Sequence, residues 1–190
     1  MATGSSGSKR TPRSRATPEV FVLRVGHRPG RDPRLTTHLA LAARAFGARS
    51  MYLQPPDPDV SARIQALARR WGGTFEVVPA VDWRKVVRSF DGAVVHLTMY
   101  GQPLERVLPK IARRSRVLLV VGGAKVPPDL YRLSSYNVAV GHQPHSEVAA
   151  VAVTLERLMG LPGPRAPTGA RQVIVPRARG KRVLRRGRGS

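Results

Sequence analysis

Three stretches of the chain gather glycine, proline and ionisable residues where a short apolar run has just ended. The first is Gly26-His27-Arg28-Pro29-Gly30-Arg31-Asp32-Pro33-Arg34, a cationic loop. The second is Gly122-Gly123-Ala124-Lys125-Val126-Pro127-Pro128, and the third is Gly141-His142-Gln143-Pro144-His145-Ser146-Glu147. Glycine lets a backbone come close to a ligand, and proline holds a loop to one shape. Together they have the make-up of a small-molecule clamp; taken singly, each is equally an ordinary turn. None carries the P-loop pattern or the G-x-G-x-x-G spacing, so a mononucleotide or dinucleotide fingerprint is not supported. His27, His38, His142 and His145 have no acids at ligand spacing, and cysteine is absent, so no metal site is expected.

The segments that must position these loops alternate between two periodicities. Residues 20–26, 49–53, 75–79, 93–97, 116–121 and 137–140 read as strands. Residues 35–46, with Thr36 and Thr37 as caps, 59–71, 83–89, 104–113 and 147–159 read as helices. The run RVLLVV at 116–121 is apolar enough to be buried on both faces of a parallel sheet. Such alternation predicts an α/β fold with a doubly wound, mostly parallel sheet. All three loops then fall at the carboxyl ends of strands, the edge where open sheets bind ligands. The helix over 147–159 is apolar nearly all round, which makes it either a dimer interface or a central core helix.

Charge supplies the partner. The 190 residues carry a net charge of +22, and most of the 33 basic residues are arginine. Residues 1–18, rich in Ser, Gly, Thr and Arg, read as a disordered basic arm. Residues 19–160 read as one folded domain, basic in its own right, and 161–190 as a basic extension holding a short β ribbon over 171–176 and 181–184. A basic body with basic ends fits a polyanion, above all nucleic acid; the bland alternative is solubility, or a codon bias towards arginine. With no apolar run long enough for a bilayer and no secretory leader, a soluble, cytoplasmic protein without membrane contact is expected.

One family combines these motifs. Leu23-Arg24-Val25-Gly26-His27-Arg28, then Arg31-Asp32, Arg34, Thr37-His38 and Ala43-Arg44-Ala45-Phe46-Gly47-Ala48, closely resembles the start of the archaeal tRNA (cytidine-56) 2′-O-methyltransferases. GGAKVP at 122–127, VGHQPHSE at 140–147 and the ending RQVIVP then GKRV are similar as well. The resemblance spans residues 20–184 and leaves only the N-terminal arm as an addition. That family belongs to the SPOUT superfamily, which implies a deep trefoil knot in the C-terminal part of the sheet. It further implies S-adenosylmethionine as methyl donor, tRNA as substrate and a homodimer. A noncatalytic RNA-binding or ribosome-associated protein is the rival reading.

By the same resemblance, the cofactor contacts Leu97, then Gly122, Gly123, Ala124, Lys125 and Val126, then Val140, Gly141, His142, Gln143, Pro144, His145, Ser146 and Glu147. Catalysis is expected from an arginine. Arg44 follows His38 by six residues, a spacing found in related ribose methyltransferases, with Arg24 and Arg28 as competing choices. An arginine is an awkward base, since its pKa exceeds about 12; it could instead hold phosphate and steady the developing alkoxide, with Ser146 or His145 assisting. Arg28, Arg31, Arg34, Arg177, Arg179, Lys181 and Arg182 are the expected RNA contacts, with Asp32 orienting one guanidinium.

Overall fold

The computed structural model describes residues 17–123, 125–163 and 165–186. Nearly all of the expected N-terminal arm, and Ala124 among the expected cofactor contacts, lie outside those residues.

The chain runs β1 (Glu19–Val25), α1 (Pro33–Ala45), β2 (Ser50–Gln54), α2 (Pro58–Trp71), β3 (Glu76–Pro79), α3 (Trp83–Ser89), β4 (Ala93–Pro103), α4 (Leu104–Ile111), β5 (Arg116–Gly122), α5 (Pro128–Leu133), β6 (Tyr136–Ala139) and α6 (Glu147–Met159). A ribbon of β7 (Gln172–Ile174) and β8 (Val183–Arg185) follows. The six-stranded sheet has the order β3-β2-β1-β5-β4-β6, and every pairing in it is parallel. The ribbon is antiparallel.

Alternating side chains of the central strands feed two cores. Val20 and Val22 of β1 join Val117, Leu119 and Val121 of β5 beneath α1, α2, α4 and α6. Phe21, Leu23 and Val25 join Leu118 and Val120 on the opposite face, beneath α3 and α5. The buried double-faced strand read from RVLLVV is β5, at the centre of the sheet.

Three local departures have physical reasons. Thr36 and Thr37 do not cap α1, which begins earlier, at Pro33, with Asp32 in the cap position. Thr36 instead bonds His27, and Thr37 back-bonds to the Pro33 carbonyl. The helix α5 is only six residues long and starts on Pro128, too short for helical periodicity to register. The strand β4 runs well past the expected end at residue 97, because β6 pairs with it twice, once at Val95–Leu97 and again at Gln102 and Pro103. Between those pairings β4 arches outward, and Gly101 lies so close to β6 that an added Cβ would sit 2.5 Å from the Asn137 carbonyl carbon and 2.6 Å from its oxygen.

Candidate functional site

The second and third loops converge. A cavity of about 320 Å³ opens at the carboxyl ends of the strands. Leu97, Thr98, Met99 and Tyr100 of β4 form one wall, and Val121, Gly122, Gly123 and Val126 form the next. Val140, His145, Ser146, Glu147 and Ala150, leading into α6, close the third side, with His96 and Tyr131 behind them. Most of this wall is apolar side chain and exposed backbone, a surface suited to a flat heterocycle and its edge hydrogen bonds.

A polar network backs the cavity. His96 and Asn137 are directly opposed on β4 and β6. Asn137 Nδ2 donates to the Tyr131 carbonyl, so its Oδ1 is free to accept from His96 Nδ1 at 2.9 Å. The His96 ring stands edge-on to Tyr131, 4.7 Å between centroids, and the Tyr131 hydroxyl meets Thr98 Oγ1 at 3.2 Å. Burial pushes the His96 pKa down, partly offset by Asn137, so the imidazole stays neutral at pH 7 with its proton on Nδ1.

The first loop itself does not line the cavity; β1, the strand that leads into it, touches the site through one ion pair. Arg24, near the end of β1, is 1% exposed, and its Nη1 lies 2.6 Å from Glu147 Oε2. Arg24 Nε has no partner among the described residues. Burial pushes the Glu147 carboxyl above the ordinary range, with Arg24 pulling the other way. Arg28 is clamped to Asp32 by two bonds, Nε at 2.7 Å and Nη2 at 2.9 Å, yet its side chain remains 58% exposed. That clamp holds the Asp32 carboxyl below its usual range. Arg31 and Arg34 are exposed beside it.

His27 fixes the root of this loop. Its Nε2 donates to Asp57 Oδ2 at 2.8 Å, and its Nδ1 meets Thr36 Oγ1 at 2.8 Å. Asp57 also caps α2 by accepting from Asp59 N and Val60 N. All three side chains are buried, so the ring ties loop, α1 and α2 into one joint. The His27 bond, assisted by the two backbone donors, holds the Asp57 carboxyl below its usual range. A depressed carboxyl stabilises the fold above its unfolded pKa, near 3.9, and that stability disappears as pH falls through the folded value. Asp57→Asn is therefore expected to cost about 1–3 kcal/mol at pH 7, and its deficit against wild type should shrink below about pH 4. Denaturant melts from pH 7 to 3 measure this; a deficit constant with pH would refute it.

Not every expected site residue is brought together. Leu97, Gly122, Gly123, Val126, Val140, His145, Ser146 and Glu147 line the cavity. Lys125, Gly141, His142, Gln143 and Pro144 lie on the same two loops but outside its lining. His142 Nε2 instead contacts the Gly101 carbonyl at 3.3 Å, folding the third loop against the β4 arch. Arg44 does not line this cavity within the chain. It sits in the last turn of α1, and a helix following β1 runs back to the amino edge of the sheet. There Arg44 lines a different hollow with Val20 and Ala48, and its Nη2 donates to the Gly72 carbonyl at 2.6 Å. It braces α1 against the end of α2, on the opposite edge from the cavity. His38, its partner in the spacing, is exposed. Sequence reading passed over His96, Asn137 and Tyr131; a histidine inside an otherwise apolar strand was the available signal.

Arg177, Arg179, Lys181 and Arg182 are all exposed, on the loop joining β7 to β8 and at its end. A second cationic feature was not anticipated: Arg69, Arg70, Arg171, Arg185 and Arg186 surround a shallow hollow of about 380 Å³. A backbone bond from Arg171 N to Arg70 O holds the ribbon against α2 there, and one from Arg186 N to Arg171 O joins the two arms of the ribbon. Among the described residues no group of three or more His, Cys, Asp or Glu could hold a metal, and no helix is long and apolar enough to cross a membrane.

Comparison with known proteins matches this arrangement to one family. A family model described as tRNA ribose 2′-O-methyltransferase, aTrm56, matches residues 71–184. A protein of Archaeoglobus fulgidus named tRNA (cytidine(56)-2′-O)-methyltransferase is 50% identical over 166 residues, covering 87% of this chain and 98% of that one. A protein of Methanothrix thermoacetophila with the same name is 47% identical, covering 88% and 98%. Among solved structures, the SpoU methyltransferase AviRb from Streptomyces viridochromogenes, in complex with the cofactor AdoMet, superposes with a TM-score of 0.52 at 17% identity, over 75% of this chain and 57% of that one. At that identity the likeness is one of fold.

Proposed function

The chain belongs to the aTrm56 family of tRNA ribose 2′-O-methyltransferases, and we propose that it transfers a methyl group from S-adenosylmethionine to the ribose 2′-hydroxyl of tRNA cytidine 56. The observation that carries this reading is the meeting of two sequence-remote loops on one cavity, with the strand that leads into the cationic first loop joined to it through Arg24 and Glu147.

The residues present fit the methyl donor. Leu97, Val121, Val126, Val140 and Ala150 offer apolar walls for adenine, and Gly122, Gly123, Val140, His145 and Ser146 offer backbone groups for its edge and for the ribose. The bound cofactor supplies an electrophilic methyl on a sulfonium. The protein's task is then to place the 2′-oxygen in line with that methyl, and positioning of this kind contributes about 7–11 kcal/mol. Arg28 stands out from the loop with its fork set by Asp32, as a clamp for the phosphate next to the target ribose. Arg31, Arg34 and the ribbon residues Arg177, Arg179, Lys181 and Arg182 extend the RNA surface, with the five-arginine hollow as its far anchor.

The finer features of the family belong to the same reading. A trefoil knot is supported by the double hold of β6 on β4, on either side of the arch at 98–101. A homodimer through α6 is supported by the outward exposure of Val153 on a largely apolar helix. The folded unit over 19–160, the basic extension from 161 and a cytoplasmic setting with tRNA complete it. The test is incubation of the full chain with S-adenosylmethionine and an unmodified tRNA transcript, followed by mass spectrometry of the T-loop fragment. One added methyl on the ribose of cytidine 56 is expected. Tight tRNA binding with no methyl gain would favour the noncatalytic alternative instead.

A further inference from the structure

We propose that Glu147 is the general base that removes the 2′-hydroxyl proton, with Arg24 as the residue that positions it. The inference rests on the methyltransferase reading and adds a residue role to it.

Among the described residues, Glu147 is the only carboxylate on the cavity. The other ionisable groups there are His96, Tyr100, Tyr131 and His145. His96 has its Nδ1 committed to Asn137 and lies 1% exposed at the back. His145 is exposed, with Nδ1 held 2.6 Å from the Gln143 carbonyl. Glu147 heads α6 at the rim, its side chain 19% exposed, and so is accessible to a hydroxyl without being immersed in water. Of the three candidate arginines, Arg44 is on the wrong edge, Arg28 is occupied by Asp32, and Arg24 is buried behind Glu147. The arginine of the site thus reaches the chemistry through a carboxylate.

The pairing has the form a base requires. Arg24 holds Glu147 in place through Oε2 at 2.6 Å. That contact leaves the other carboxylate oxygen, Oε1, to take a proton. Burial raises its affinity for that proton, Arg24 moderates the rise, and Asp32 adds to it. Those four groups, Arg24, Arg28, Asp32 and Glu147, sum to no net charge. An RNA phosphate seated on Arg28 would add a negative charge and make Glu147 a stronger base as substrate docks. In the step itself, a Glu147 oxygen takes the hydroxyl proton as the 2′-oxygen bonds to the methyl carbon. The carbon–sulfur bond breaks, its electron pair stays on sulfur to leave S-adenosylhomocysteine, and Glu147 returns its proton to water.

The test is Glu147→Gln in the full chain, read by single-turnover methyl transfer to unmodified tRNA, by calorimetric binding of S-adenosylhomocysteine and by thermal melting. We expect the rate to fall by about 10²–10⁴-fold, with the binding constant within about threefold of wild type. The wild-type rate should climb with pH and level off as Glu147 loses its proton, and the variant should lack that climb. If the orphaned Arg24 cation prevents folding, Arg24→Gln with Glu147→Gln removes both charges and carries the same expectation. Weakened S-adenosylhomocysteine binding with a wild-type rate at saturation would overturn the proposal and make Glu147 a cofactor ligand. Persistence of the acid-side climb in the variant would overturn it equally. Failure of the family reading looks different, since wild type itself would then methylate no tRNA.

Discussion

Gly101→Ala is expected to abolish measurable S-adenosylmethionine binding and to lower the melting temperature by several degrees. A methyl at this position would meet backbone of β6, with the Asn137 carbonyl carbon at 2.5 Å and its oxygen at 2.6 Å. Backbone on both sides has no rotamer to change, so one strand must move. Overpacking of a well-filled site costs about 1–3 kcal/mol, and here the displacement falls on the cavity wall. The β4 arch carries Thr98, Met99 and Tyr100, and β6 carries Asn137, on which the His96 ring depends. A 100-fold loss of binding corresponds to about 2.7 kcal/mol, within reach of that displacement. Calorimetry with the cofactor and a thermal melt check both halves. Gly123→Ala is the matched control for folding, because a Cβ there meets nothing within 4 Å, and it should melt as wild type does. A Gly101→Ala protein with wild-type affinity would show that the β4–β6 contact does not shape the site.

The second large effect concerns RNA. Replacing Arg69, Arg70, Arg171, Arg185 and Arg186 together by glutamine should weaken tRNA binding at low salt by about 10²–10⁴-fold. It should also flatten the salt dependence. Each phosphate contact releases condensed counterions and contributes about 0.7–0.9 to the slope of log K against log salt, so five lost contacts remove roughly 3.5 to 4.5 from it. The substitutions leave the fold's supports in place, since the bonds from Arg171 to Arg70 of α2 and from Arg186 to Arg171 within the ribbon run through backbone atoms rather than side chains. The rate from the saturated complex should stay near wild type, because the hollow lies on α2 and the ribbon, away from the cavity. Filter binding across salt concentrations measures the slope, and an unchanged slope would remove these arginines from the RNA surface.

Much of this site was readable from residue types. The loops at 122–128 and 141–147 announced themselves because glycine and proline interrupt apolar periodicity, and both reach the cavity. Val117 to Val121 declared a central strand for the same reason that a run of β-branched and leucine residues must be dry on both faces. What stayed hidden depended on distance in space. Arg44 satisfied a spacing along the chain, but spacing carries no information about which edge of the sheet a helix ends on. The Arg24–Glu147 contact joins the first strand to the last helix of the sheet domain, and no local pattern encodes it. The His27–Asp57 joint is similar: a lone histidine in a loop gives no hint that a helix cap thirty residues on is its partner. The arch in β4 was missed because GQP reads as a turn, and only pairing with β6 turns it back into strand.

The position of β6 has a consequence for biosynthesis. It is the last strand added to the sheet and occupies the outer edge beside β4, and the loop after it supplies a whole side of the cavity. A chain still emerging from the ribosome, or one cut short before residue 136, would carry β4 with its outer hydrogen-bonding groups bare and no vessel for the cofactor. Such an exposed edge invites pairing with other chains. Competence therefore arrives in one step late in synthesis, and truncated products are expected to be both inert and prone to aggregate.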